Sequence, residues 1–210
     1  MGVFDLRIAS TLRAAAVSSV LGSSVFAAPV TIDFDGLGGN VVVGNAFSSL
    51  GVTFQNARTV DITVPGSTPP NTIWHETTTA NTLQSDPISA IFDFAVASVS
   101  LTGVDIGFDG FILKAFDAVT GGSLVDTQQV IGTTSSGVGE FFDLTVTGAS
   151  IFRVEFSQVS NGQGGGDGSA YDNFRFEAAD PAPVPLPASL PLLLGALAVG
   201  GAAMRKRRKG

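Results

Sequence analysis

SIFRVEFS, residues 150–157, decides the fold class: Phe152, Val154 and Phe156 alternate with Arg153 and Glu155. An extended chain sends successive side chains to opposite sides, so this stretch has one apolar and one charged face, as a half-buried strand requires. AYDNFRFE, residues 170–177, repeats the device with Phe174 and Phe176 against Arg175 and Glu177. Outward from these two, short apolar runs recur between clusters of Gly, Asn, Asp and Ser, and no window sustains a helical period. The runs VTIDF (30–34), GVTFQN (51–56), RTVDITV (58–64), ISAIFDF (88–94), ASVSLTGVDIGF (97–108), GFILKAFDA (110–118), SLVDTQQVI (123–131) and GEFFDLTV (139–146) complete the set. Roughly ten strands at this spacing predict an all-β domain over 28–178, a jelly-roll-like antiparallel β-sandwich.

Within 97–108 the apolar set changes parity, from Val99 and Leu101 to Val104, Ile106 and Phe108, and Gly103 stands at the switch. A β-bulge is expected there. Sixteen Phe against one Trp and one Tyr point to a core built from phenylalanine. The Gly-rich stretch NGQGGGDGS (161–169) lies between strands and lacks the Lys and helix of a phosphate loop, so it reads as a connection.

The chain has no cysteine, which removes disulfides, thiolate metal sites and cysteine nucleophiles together. Its net charge of −7 conceals an asymmetry, because five of the eleven basic residues fall in the last six positions. Between Ala28 and Pro187 the cations are Arg58, Lys114, Arg153 and Arg175 against seventeen carboxylates, a net of −13. Such a surface repels phosphate, so nucleic acid is not an expected partner.

The N-terminal residues 1–27 place Arg7 and Arg13 before an apolar run from Ala14 to Phe26, with small residues at Val25 and Ala27. That is the pattern of a signal peptide cut after Ala27 by signal peptidase, with Asp5 the discordant residue. At the other end, residues 179–187 (ADPAPVPLP) form a Pro-rich extended spacer, residues 188–204 an apolar run, and residues 205–210 a basic tail. The run is short for a transmembrane helix but spans if the flanks stretch or the bilayer thins. Arg205, Lys206, Arg207, Arg208 and Lys209 hold its far end in the cytoplasm, leaving the domain outside.

The order of a proline-bearing motif, a short span and an Arg/Lys cluster resembles the tripartite tail of PEP-CTERM proteins. VPLPASLPLLLGALAVGGAAMRKRRKG (184–210) is similar to the VPLPA variant, with Leu186 in the middle of the motif instead of the Glu of the commoner Pro-Glu-Pro form. The resemblance implies that Val184, Pro185, Leu186, Pro187 and Ala188 are recognised by an exosortase, a membrane transpeptidase that cuts near the motif. It implies an inner-membrane intermediate, then a surface or extracellular protein of a Gram-negative bacterium, associated with exopolysaccharide or biofilm. A tail anchor that is never cut is the plain alternative. NAFSSLGVTFQNA (45–57) and AYDNFRFE also resemble ectodomains of this family, which look like jelly-roll sandwiches.

No catalytic set stands out, and the chain reads as a non-enzyme. His75, the sole imidazole, follows Trp74 in a polar stretch, NTIWHETTT, read as a loop, and no Gly-x-Ser-x-Gly elbow accompanies it. The carboxylates are numerous, but no spacing singles out a glycosidase pair. Calcium takes oxygen ligands in groups, and Asp33 and Asp35 on one face of the first strand would meet Asp172 and Asn173 of the last if the two strands pair. Asp105 and Asp109, four residues apart near a turn, form a second candidate. A structural calcium ion is therefore a candidate cofactor. Beside the display function stands an alternative, a calcium-dependent carbohydrate-binding module with Trp74 and Tyr171 as its contacts.

Overall fold

The computed structural model describes residues 28–77, 86–135, 137–159 and 169–179. The signal peptide, the sorting motif, the span, the basic tail and all of the Gly-rich stretch but Ser169 lie outside the described residues.

The runs of alternating residues become nine antiparallel strands: β1 Val30–Ile32, β2 Val52–Gln55, β3 Ala57–Asp61, β4 Asn71–His75, β5 Ile88–Val104, β6 Phe111–Phe116, β7 Leu124–Val130, β8 Phe141–Gln158 and β9 Ala170–Ala178. The sequence pattern breaks β5 and β8 into two strands each, but each is one long strand that bends. The pairing of β5 with β8 jumps from Ile91↔Arg153 to Val96↔Ile151, five residues on β5 against two on β8. Such irregularities let a strand leave one layer and enter the other. Before the jump, residues 88–91 lie between β2 and β8, and β8 continues to β6 and β7. After it, residues 96–104 lie between β9 and the first half of β8, and β9 continues to β4 and β3, with β1 beside its C-terminal half.

Rings join these two layers face to face. Phe54 and Phe92 of the back layer, which holds β2, β6 and β7, meet Phe174 and Phe176 of β9 in the front layer, which holds β1, β3, β4 and β9, at centroid distances of 5.2 Å each. Phe156 and Phe111 meet Tyr171 at 4.9 and 5.7 Å. All are buried, and each is worth roughly 1.5–3 kcal/mol relative to exposure. The alternation that predicted strands thus also supplies the inner faces of a β-sandwich.

Gly103 corrects one expectation. The pairing of β5 with β8 runs without a break from Ser98 to Val104, so there is no bulge at this glycine. Gly103 faces inward, where a Cβ would come 2.5 Å from Phe111 Cε1, and Val104 faces outward yet is fully buried. The parity changes because both sides of the strand are covered. The extra residue lies on β9 instead: Arg175 pairs with Ser100 and Asp172 with Thr102, and Asn173 between them has φ +49°. NTIWH is likewise not a loop but β4, inserted between β3 and β9.

Candidate functional site

The outward side of the front layer carries the most chemistry. Tyr171, Phe174 and Phe176 point inward, so Asp172 and Ala170 point out, and the register extends the assignment across the sheet. Asp172 pairs with Thr102 and Thr102 with Asp143; Ala170 pairs with Val104 and Val104 with Phe141. On the other side of β9, Ile73 pairs with Tyr171, which places Thr72 beside Asp172 and Trp74 beside Ala170. Arg58 of β3 stands opposite Trp74. Two rows therefore cross the face: a polar one, Thr72, Asp172, Thr102, Asp143, and an apolar one, Trp74, Ala170, Val104, Phe141, with Arg58 at its end.

The β3–β4 connection, residues 62–70, is a strap across this face. Thr68 donates its N–H and Oγ1–H to Asp172 Oδ2 at 2.6 and 3.0 Å. Gly66, with φ +90°, packs on the Phe141 ring so closely that no side chain fits there. Between these attachments Ala170 and Val104 have no exposed surface although they face out. Phe141 itself stays 49% exposed.

Three polar atoms on this side are buried without a partner: Trp74 Nε1, Arg58 Nε and Thr72 Oγ1. Arg58 does use Nη1, which donates to Asn40 Oδ1 at 2.9 Å. Buried polar atoms are rarely left unpaired, so three on adjacent strands mark a place where a polar partner belongs. Trp74 is half-buried, as a contact residue must be. Tyr171, the other proposed contact, is a correction: it is 3% exposed, its ring is clasped by Phe111 and Phe156, and burial pushes its hydroxyl pKa up. Phe141, Arg58 and Thr72 were not singled out by the sequence, because only the register brings them into line with Trp74.

First and last strands do pair, Val30–Ile32 with Phe174–Phe176, which brings the four proposed calcium ligands to one junction. There the oxygens already hold donors. Asp33 Oδ1 accepts the Asp35 N–H, Asp35 Oδ1 accepts the Asn71 N–H at 2.9 Å, and Asp172 Oδ1 accepts the Asn173 N–H at 2.6 Å. Among the described residues no three His, Cys, Asp or Glu side chains are arranged to hold a metal. Burial raises the Asp172 carboxyl pKa against the lowering effect of its Thr68 and Asn173 bonds, and the charge of Asp35 adds to the rise. Asp105 and Asp109 sit in the β5–β6 turn, both raised by desolvation, and Asp105 Oδ1 is buried without a partner.

His75 ends β4. Its Nδ1 accepts the Thr77 N–H at 3.2 Å, and its Nε2 lies 3.7 Å from Asp86 Oδ2. Those contacts tie the β4–β5 connection to the sheet.

No family model matches the chain, and no curated protein does. Among solved structures, it is similar to the K2 cleaved adhesin domain of Lys-gingipain, at 14% identity and a TM-score of 0.45 over 71% of this chain and 97% of that one. It is similar to CsCBM6-3 from Clostridium stercorarium, solved with cellobiose, at 14% identity and a TM-score of 0.34 over 60% and 86%. A mutant of CBM29-2, a family 29 carbohydrate-binding module, gives 12% identity and a TM-score of 0.37 over 73% and 99%.

Proposed function

We propose that this is a non-catalytic module, exported and displayed at the surface of a Gram-negative cell, that holds polysaccharide through the outer side of β3 and β4. One observation carries the reading. Trp74, half-buried on that side, has an unpartnered indole N–H next to the unpartnered Arg58 Nε and Thr72 hydroxyl. An aromatic face packs on the C–H side of a sugar ring, while donors placed around it take its hydroxyl and ether oxygens. Jelly-roll connectivity belongs to the same reading, supported by the pairing of first and last strands.

The ends supply the address. Signal peptidase removes residues 1–27, and an exosortase acts at Val184–Ala188 while Arg205–Lys209 hold the tail in the membrane. The support for this half is the sequence of the two ends alone. Calcium is not required by this reading, whose donors are the side chains of Trp74, Arg58 and Thr72.

The test is affinity electrophoresis of the protein through gels containing host exopolysaccharide, with Trp74→Ala alongside. Retardation of the wild type that the variant loses is the expected result. Equal mobility of the two, with or without polysaccharide, would sink the reading.

A further inference from the structure

We propose that the row from Trp74 to Phe141 is a covered cleft for a neutral oligosaccharide chain, and that strap 62–70 is its removable cover. The proposal rests on the reading above and adds the extent, the ligand class and the access route of the site.

The extent follows from the register. Trp74 on β4, Ala170 on β9, Val104 on β5 and Phe141 on β8 stand side by side. Three strand spacings separate the two aromatic residues, about 14 Å, the reach of a short oligosaccharide lying across the strands. The floor between them, Ala170 and Val104, is apolar and low, and an aromatic ring stands at each end.

The ligand class follows from the polar atoms. Thr72 has no exposed surface, and its Oγ1 lacks a partner, as do Trp74 Nε1 and Arg58 Nε. The indole and guanidinium N–H groups only donate, while the Thr72 hydroxyl can donate or accept, so the missing partner carries acceptors and hydroxyls. Asp172 and Asp143 occupy the neighbouring row, and the stretch from Ala28 to Pro187 carries a net of −13. A uronate or phosphate-bearing chain meets repulsion along that length, and Arg58 offsets it only at one end. Hydroxyl and ether oxygens of an uncharged glycan satisfy the donors without that cost.

The access route follows from how the strap is held. Its turn closes on itself, with Ser67 Oγ donating to Val64 O at 2.8 Å and Ser67 N–H donating to the same oxygen at 3.0 Å. Its attachments to the face are Thr68 on Asp172 and Gly66 on Phe141. The turn can therefore swing as a unit, breaking the bonds to Asp172 while keeping its own.

The experiment is calorimetric titration of the full chain with disaccharides and hexasaccharides of the cellulose, xylan and mannan series, and with oligogalacturonate. We expect a neutral hexasaccharide to bind about tenfold tighter than its disaccharide, the gain of a second contact region. Phe141→Ala should remove most of that gain and leave the disaccharide unchanged; Phe141→Leu substitutes if the alanine variant does not fold. Thr68→Val, which deletes one strap bond, should tighten hexasaccharide binding roughly two- to fivefold and leave the disaccharide alone. Equal affinity for both lengths, with both variants neutral, overturns the covered cleft and leaves the Trp74 site standing. Oligogalacturonate binding as tightly as the neutral chains overturns the ligand class. If no probe binds, or Trp74→Ala changes nothing, the parent reading falls and takes this one with it.

Discussion

Gly103→Ala isolates what the glycine in β5 is for. The new methyl would lie 2.5 and 2.6 Å from Phe111 Cε1 and Cδ1, inside any real contact distance, and a tight 3.0 Å from Ile106 Cδ1. Forcing the Phe111 ring aside costs about 1–3 kcal/mol, as overpacked cores do. Alanine returns roughly 0.5–1 kcal/mol of backbone entropy in a strand. The net expectation is a loss of about 1–2 kcal/mol, read as a lower urea midpoint at unchanged slope. Phe111→Leu shortens the ring that is struck, so in that background Gly103→Ala should cost little, and the cycle should show a coupling of about 1 kcal/mol. If the cost of Gly103→Ala is the same in both backgrounds, the glycine is not there for Phe111 and the packing account is wrong.

Two further outcomes are expected. Arg153 lies over the Phe116 ring at 4.2 Å, pairs with Glu155 at 3.0 Å and donates to the carbonyls of Ala118 and Gly121, so it clamps the β6–β7 turn. Arg153→Met should cost about 2–3 kcal/mol in urea unfolding and open residues 117–123 to protease; resistance equal to the wild type would contradict the clamp. The Asp172 carboxyl, raised mainly by burial, binds its proton more tightly folded than unfolded. Its contribution is therefore fully present below the ordinary value of 3.8 and is lost as pH rises through the native value. Asp172→Asn should gain on the wild type in stability as pH climbs from about 4 toward neutrality, and a difference that does not change with pH would refute the assignment.

The strands were legible because a half-buried strand must alternate. SIFRVEFS and AYDNFRFE lie in β8 and β9, and the apolar members of the latter meet the opposite layer as expected. Where alternation failed as a guide, both faces were covered. Val104 is apolar and outward yet fully buried, on a face that the strap reaches at Asp172 and Phe141, and β4 escaped notice because Asn71 and Thr72 are polar residues buried on a strand. The bends in β5 and β8 were invisible for a related reason: a strand that changes layers shows the same local pattern as two strands with a gap.

By itself, the sequence determined the class of fold, the acidic surface and the two ends whose order resembles an export and sorting signal, since each of these depends on composition or on neighbours along the chain. The pairing of first and last strands, on which the expected meeting of Asp33, Asp35, Asp172 and Asn173 depended, is present in the structure. Only the tertiary structure brought the Thr68 donors to Asp172 and the Asn71 N–H to Asp35, from positions distant in sequence. It likewise buried Tyr171 and aligned Trp74 with Phe141 across four strands. A row across a sheet is set by register, and register is fixed by which residues the opposing layer must cover, information that no local stretch of the chain contains.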